Sequence, residues 1–319
     1  MNKLQTKFDK FFAQDVANGL TSFPKFLSSK YFYDAAGSQI FQQIMELEEY
    51  YLTNCEFEVF QTKKEDILEL LPKSFDLIEL GAGNGLKTKV LLNYFLGKGI
   101  DFTYMPIDIS WDVLEALEDD LAEEMPGLSV QILHDDYFGA LKKISAIAEN
   151  PKVVLFLGSN IGNFSIMEAI AFLKKLRSSL HTNDYFLLGA DLVKDPETIL
   201  RSYSDTQGIT ANFNYNLLHR INVELGADFD IGEFMHHANY HPQTGETKSF
   251  LISKKAQKVW IDGLKLAVNF DAWESIFMEI SQKFTISQVN EMAKKSGFKV
   301  QRNFFDSKMY FTDSLWKAV

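Results

Sequence analysis

The sequence predicts an α/β protein built on a mostly parallel sheet with helices on both faces, joined to a second α+β domain. Three observations carry that expectation. From residue 57 onward, short continuous apolar runs alternate with amphipathic helical segments, the pattern of a sheet covered on both sides. A glycine turn, Gly81-Ala82-Gly83-Asn84-Gly85, separates the apolar run Phe75–Leu80 from Val90, Leu91, Leu92 and Phe95 at helical spacing. Acidic residues close successive strands, namely Glu79, Asp108, Asp135 with Asp136, and Asp191. Ligands of such sheets bind outside those carboxyl ends.

The first 56 residues are aromatic-rich and helical in pattern. Phe8, Phe11 and Phe12 recur at helical spacing, and Ile40, Phe41, Ile44 and Leu47 form one stripe. Tyr31, Phe32 and Tyr33 precede that stripe; Tyr50 and Tyr51 follow it. After the glycine turn come the strand DFTYMPIDIS, the helix WDVLEALEDDLAEEM, the strand LSVQILH and the helix YFGALKKISAIAE. The strand KVVLFLG, the helix IMEAIAFLKKLRSSL and the strand DYFLLGAD complete the alternation.

Beyond Asp191 the alternation breaks. Residues 196–225 read as helical, and 234–270 as antiparallel strands, with PQTGE as a turn and FLISKKAQKVWI and LKLAVNF as partners. Helical segments are expected near 271–278 and 285–296, and two strands at the end. The expected division is a sheet domain of residues 57–195 and 285–319, and a second domain made by the N-terminal 1–56 and the insertion 196–284.

Composition narrows the function classes. The chain has 319 residues, 46% of them hydrophobic, with a net charge of −11 and a pI near 5.1. Lys and Arg are scattered without a basic stripe, which disfavours nucleic acid and favours a small-molecule substrate. The start lacks the apolar core of a signal peptide, and no segment has the length of apolar residues needed to span a bilayer, so a cytoplasmic protein away from membranes is expected. A monomer is the accompanying expectation, though no sequence feature decides it. Cys55, the single cysteine, lies in a helical-looking stretch and reads as a packed thiol. His236, His237 and His241 fall on a strand entering a turn, where the first two face opposite ways, so no metal site is expected.

The glycine turn reads as a cofactor cradle, because glycine permits positive φ and the following helix start offers unpaired N–H groups. A dinucleotide fingerprint wants a small residue at position 86, where this chain has Leu86. Glu79 adds an anion unsuited to a pyrophosphate and tolerable to a ligand bearing an ammonium and a sulfonium. The acidic strand end with Gly-x-Gly-x-Gly is similar to the first motif of class I S-adenosylmethionine (SAM) methyltransferases, a Rossmann-like fold. Asp108 ends the second strand where a carboxylate accepts ribose hydroxyls. Asp135 and Asp136 end the third, where one can accept from an adenine amine. A helix N-cap is the ordinary alternative for each acid and coexists with binding.

Longer segments carry a more specific resemblance. KYFYDAAGSQIFQQIMELEEYYLT, FLGSNIGNF, LLGADLVKD, YSDTQGITANFNYNLLHRINVELGADFD and MEISQKF, in this order along nearly the whole chain, resemble the histidine-specific Nα-methyltransferases of ergothioneine biosynthesis. The resemblance implies SAM as cofactor and a free α-amino acid, L-histidine, methylated three times on its amino group to trimethylhistidine (hercynine). It implies that Asn163 holds the amino and carboxylate groups, that Tyr203 binds the carboxylate, and that Glu279 and Ser281 grip the imidazole. Tyr33 and Tyr50 match the tyrosines of the WFYD-like and EYY motifs, with Tyr33 and Asn163 at the reacting amine. On the cofactor side Gly81, Lys87, Asp108 and Asp136 match, Gly158 lies beside the reacting methyl, and Glu79 and Gly83 complete the cradle. The segment reads Tyr203-Ser204-Asp205 where the family has a YDD-like motif.

Glu279 and Ser281 are two apart, so on an extended segment both meet one imidazole edge. Methyl transfer needs a neutral amine, and Tyr33 or a bound water offers a proton route. The resemblance implies a bulky apolar residue lining the side-chain pocket where this chain has Ser249, which keeps another aromatic amino acid or an indole-derived amine open as substrate. Two rivals remain. One is an inert SAM- or amino-acid-binding sensor on the same fold; the other, disfavoured by Leu86, is a nicotinamide-dependent dehydrogenase.

Overall fold

Strand Ser74–Leu80 lies near the middle of an extended sheet, and its neighbours explain the rest of the architecture. The computed structural model describes residues 3–147 and 150–319. The chain divides into two compact units, Met1–Tyr51 with Lys194–Ser281, and Leu52–Val193 with Gln282–Val319. All three expected boundaries shift by a few residues, and two of the shifts have local reasons. The helix Tyr51–Glu69 runs through the 56/57 boundary, and Phe284 bridges to Leu192, tying it to the sheet unit.

In the sheet unit the strand order is Phe298–Phe305, Phe311–Ala318, Tyr185–Asp191, Lys152–Phe156, Ser74–Leu80, Asp101–Asp108 and Ser129–Val130. Strand Phe311–Ala318 runs antiparallel to both of its neighbours, and the remaining pairs are parallel. This is the class I methyltransferase sheet with its reversed last strand. The expected strand LSVQILH is broken into Ser129–Val130 and Leu133–His134, each pairing with Asp101–Asp108.

Alternation along the strands fills two cores. Ile78, Leu80, Val154, Phe156, Phe186 and Leu188 face the helices Tyr137–Ile147, Ile166–Ser178 and Ile286–Lys295. Leu77, Val153, Leu155 and Leu187 face Tyr51–Glu69, Thr88–Gly97 and Trp111–Glu124. Burying each such side chain contributes about 1.5–3 kcal/mol, so continuous apolar runs are what a sheet covered on both faces demands. Cys55 is buried in the first of these latter helices. Residues 148 and 149, the end of an expected helix, lie outside the described residues.

The other unit holds a four-stranded sheet, ordered Lys25–Phe26, Ser275–Gln282, Glu246–Ser253, Phe234–His241, and a separate hairpin of Gln257–Ile261 with Leu266–Phe270. Phe12, Val16, Ile44, Phe213, Leu217 and Ile221 from its helices pack on Phe234, Leu251, Ile276 and Met278 from the sheet. The Phe8 ring lies outside the described side chains, and Phe11 is exposed. Two expectations are corrected here. FLISKKAQKVWI is not one strand but two, interrupted at Lys254–Ala256 and placed in different sheets. Residues 271–278 are not helical: Ser275–Gln282 is an inner strand whose buried Ile276 and Met278 alternate with less buried neighbours. Sheet pairing on both sides overrides the local propensity of DAWESIF. No helix among the described residues is long and apolar enough to cross a membrane.

Candidate active site

The strand Ser74–Leu80 delivers the chain into Gly81, Gly83 and Gly85, all with positive φ (74°, 55° and 63°). A side chain at such a position costs about 1–2 kcal/mol, which is why the turn is glycine-rich. Gly81 and Ala82 donate their N–H groups to the Ile107 carbonyl, pinning the turn to the next strand (2.8 and 3.2 Å). A Cβ on Gly81 would come within 2.8 Å of the Tyr137 hydroxyl, whereas one on Gly83 would meet nothing within 4 Å. The backbone at Gly83 is therefore open to a ligand.

Asp108 ends its strand beside this opening and accepts N–H bonds from Gly83 (3.3 Å) and Ser110 (3.0 Å). Burial raises its pKa, and the backbone donors oppose the rise. Asp136 is exposed and caps the helix Tyr137–Ile147, accepting from the Phe138 and Gly139 N–H groups at 3.0 and 2.9 Å. Asp135 is engaged by Lys143 at 2.7 Å, which leaves Asp136 as the more accessible acid of the pair.

Glu79, expected at the cofactor, lies near the end of the strand that enters this turn. It is 3% exposed, and its two oxygens accept from the Thr88 hydroxyl (2.7 Å) and the Tyr104 hydroxyl. Burial pushes its carboxyl up to about 7, with the two hydroxyls acting in the opposite direction. Its role in the fold is to tie the start of the helix Thr88–Gly97 to the strands beneath the glycine turn.

Lys87 precedes that helix, and its ammonium pairs with Glu56. Glu56 also accepts the Gly158 N–H through both carboxylate oxygens, at 2.8 and 3.0 Å, so Lys87 and Gly158 meet through it. Gly158 has φ 69° at the end of strand Lys152–Phe156. Sequence reasoning missed Glu56 and Asp313. The available signal was a carboxylate surrounded by apolar residues, in TNCEFEVF and in MYFTDSLW. An open glycine backbone, a carboxylate suited to vicinal hydroxyls, an exposed acid at the third strand and a charged cluster at the fourth fit the nucleoside and zwitterionic ends of SAM.

Asn163 ends the short 3-10 segment Asn160–Asn163 and is exposed. That segment is entered through Ser159 at φ 57°, whose hydroxyl accepts the Asp191 N–H at 3.0 Å. Gly162 packs closely on the Gln282 backbone, since a Cβ there would lie 3.0 Å from the Gln282 carbonyl oxygen and push it by a few tenths of an ångström.

The other unit carries the remaining expected residues. Tyr203 and Ser281 are both buried, and the tyrosine hydroxyl donates to the serine hydroxyl at 2.7 Å. Glu279 is half-buried two residues earlier on the same strand. Tyr33 and Tyr50 flank one ring, that of Phe41, edge-on at 5.4 and 6.2 Å; Tyr33 also meets Phe213 at 5.5 Å. Asp205 accepts the Ile209 and Thr210 N–H groups at 2.9 and 2.7 Å, capping the helix that follows Tyr203.

Ser249 is 2% exposed and lies opposite Ala238 across the hairpin of Phe234–His241 with Glu246–Ser253. The same hairpin carries His236, whose pKa burial lowers to about 4, and Thr247. His236 Nε2, Thr247 Oγ1, and Thr210 Oγ1 and Asn214 Oδ1 from the helix Ile209–Leu225 are buried without a hydrogen-bond partner among the described residues. His237 is exposed and His236 is not, as expected for a strand; among the described residues no group of three or more His, Cys, Asp or Glu is arranged to hold a metal.

Comparison with known proteins agrees with this geometry. The chain is 36% identical to the Histidine N-alpha-methyltransferase of Mycolicibacterium smegmatis, over 90% of this chain and 88% of that one. It is 36% identical to the Histidine N-alpha-methyltransferase of Mycobacterium tuberculosis, over 85% and 84%. An L-tryptophan methyltransferase of Psilocybe serbica is 26% identical over 89% of this chain and 86% of that one. Residues 12–318 match the family described as histidine-specific methyltransferase, SAM-dependent. With this span matched and this cradle present, the chain belongs to the SAM-dependent histidine-specific methyltransferase family.

Proposed function

We propose that this protein methylates the α-amino group of L-histidine, three times in succession, to give trimethylhistidine (hercynine) as in ergothioneine biosynthesis. The observation that supports it most is the Tyr203–Ser281 hydrogen bond, which joins a proposed head-group ligand to a proposed imidazole ligand in one buried network. The identity to two proteins named for histidine N-alpha-methylation points the same way.

SAM supplies an activated methyl on a sulfonium, and the protein's task is to align and dehydrate the amine that attacks it. In this reading Gly81, Gly83, Asp108, Asp136, Lys87 and Gly158 hold the donor, and Glu79 braces their turn from below. Asn163 and Tyr203 orient the amino acid's head group. Glu279 accepts an imidazole N–H, Ser281 completes that edge, and Tyr50 packs against the ring. Tyr33 lies at the reacting amine as a proton route. The unit with the parallel sheet is then the SAM-binding domain, and the other the substrate domain. The enzyme acts as a cytoplasmic monomer on a free amino acid; its charge of −11 disfavours nucleic acid.

A second reading, methylation of another aromatic amino acid, is favoured by one feature. The buried Ser249 shares its hairpin with the unsatisfied His236 and Thr247, a more polar lining than a bulky apolar residue would give. The test is a panel of the proteinogenic amino acids with SAM, followed by mass. Methylated histidine supports the first reading; turnover of tryptophan or tyrosine alone replaces it with the second, and binding without turnover of any substrate would restore the sensor.

A further inference from the structure

The carboxyl end of strand Lys152–Phe156 carries more acid than base. Glu56, on the helix Tyr51–Glu69, is 0% exposed, binds the Gly158 N–H and pairs with Lys87. It lies over Gly189, where a Cβ would collide with its Oε1, and Gly189 is the register partner of Asp313. Asp313 is also 0% exposed, and neither of its oxygens meets a donor among the described residues.

The charged groups acting on Asp313 are Glu56 and Lys87. Glu79, on strand Ser74–Leu80, interacts in turn with both, and Asp191, at the end of the strand paired with that of Asp313, is met by Lys283 at 2.8 Å. Two adjacent buried carboxylates against one ammonium leave an excess negative charge, which one proton shared between them removes. Burial and the Glu56 charge push the Asp313 carboxyl well up, and Lys87 opposes the rise.

The strand order says what ligand charge this cluster faces. Asp101–Asp108 flanks the glycine-bearing strand on one side and Lys152–Phe156 flanks it on the other. A nucleoside held by Asp108 therefore turns its amino-acid end, with the sulfur, toward Gly158, Lys87 and Glu56. SAM and S-adenosylhomocysteine differ there by one methyl and one positive charge. We propose that Glu56 and Asp313 form a proton-loaded counter-charge that distinguishes sulfonium from thioether. The pair keeps its proton beside a neutral sulfur and releases it to solvent when a sulfonium binds; it regains a proton from solvent once the sulfur is neutral. The donor is thereby held more tightly than the spent product.

This inference rests on SAM as the ligand, and calorimetry of the full chain tests it at pH 7 in two buffers of different ionisation enthalpy. We expect about one proton released per SAM bound and none per S-adenosylhomocysteine. In Asp313→Asn the release should vanish and the preference for SAM should fall about tenfold, with S-adenosylhomocysteine affinity unchanged as the control for folding. Glu79→Gln should keep the release. Equal release with both ligands, or undiminished release in Asp313→Asn, would overturn the proposal. Absence of heat with both ligands would overturn the SAM assignment and this inference with it.

Discussion

The Tyr203 hydroxyl donates to the Ser281 hydroxyl at 2.7 Å, joining the loop after the helix Pro196–Arg201 to the inner strand Ser275–Gln282. Both groups are buried, so removing either hydroxyl deletes this hydrogen bond from the interior. Tyr203→Phe and Ser281→Ala should each cost about 0.5–1.5 kcal/mol in stability. The double variant should show a coupling of at least about 0.5 kcal/mol in a denaturation cycle. Each single variant should raise KM for the amino acid while leaving SAM affinity unchanged.

Asp108 is expected to act on the cofactor and to hold the turn at Gly83. Asp108→Asn removes a charged acceptor beside the open backbone of Gly83. Loss of hydrogen bonds to a charged group corresponds to about 1.5–3 kcal/mol, so SAM binding should weaken about 10- to 100-fold by calorimetry. The melting temperature without ligand should fall as well, because the amide nitrogen can no longer accept one of the two backbone N–H groups that the carboxylate holds.

Glu79 gives a pH signature of the fold. Its carboxyl is raised from an ordinary 4.5 to about 7 by burial. Between those values the folded protein binds more protons than the unfolded chain, so this group's contribution is full below pH 4.5 and is lost as pH rises through about 7. The parent protein should therefore lose more thermal stability between pH 5 and pH 7.5 than Glu79→Gln, measured by melting at each pH. A steeper loss in the variant would contradict the assignment.

The sheet was legible because its signals are local and redundant. The runs around Leu77, Val154 and Leu187 are mostly apolar, as strands covered on both faces must be, and the positive φ of Gly81, Gly83 and Gly85 follows from a turn that glycine alone enters cheaply. The strand Ser275–Gln282 was not legible, because its pairing partners lie far away in sequence and decide its conformation. Glu79 shows the limit at a site. Its position at a strand end was readable, but the Thr88 and Tyr104 hydroxyls that occupy it come from elements the motif does not include. Glu56 and Asp313 escaped for the same reason: a carboxylate in an apolar segment signals a buried charge, while its partners Gly158 and Lys87 appear only in three dimensions.

Glu279 carries the choice of histidine in this account. Glu279→Ala should lower kcat/KM for histidine about 10-fold or more, as expected when a charge-assisted hydrogen bond is removed, and leave SAM affinity within about twofold.

The most direct measurement follows S-adenosylhomocysteine formed per histidine consumed, with the methylated position read from the product by NMR. The account predicts three equivalents per histidine at completion and all three methyl groups on the α-nitrogen. A methyl group on the imidazole ring, or no consumption of histidine while SAM binds, would contradict it.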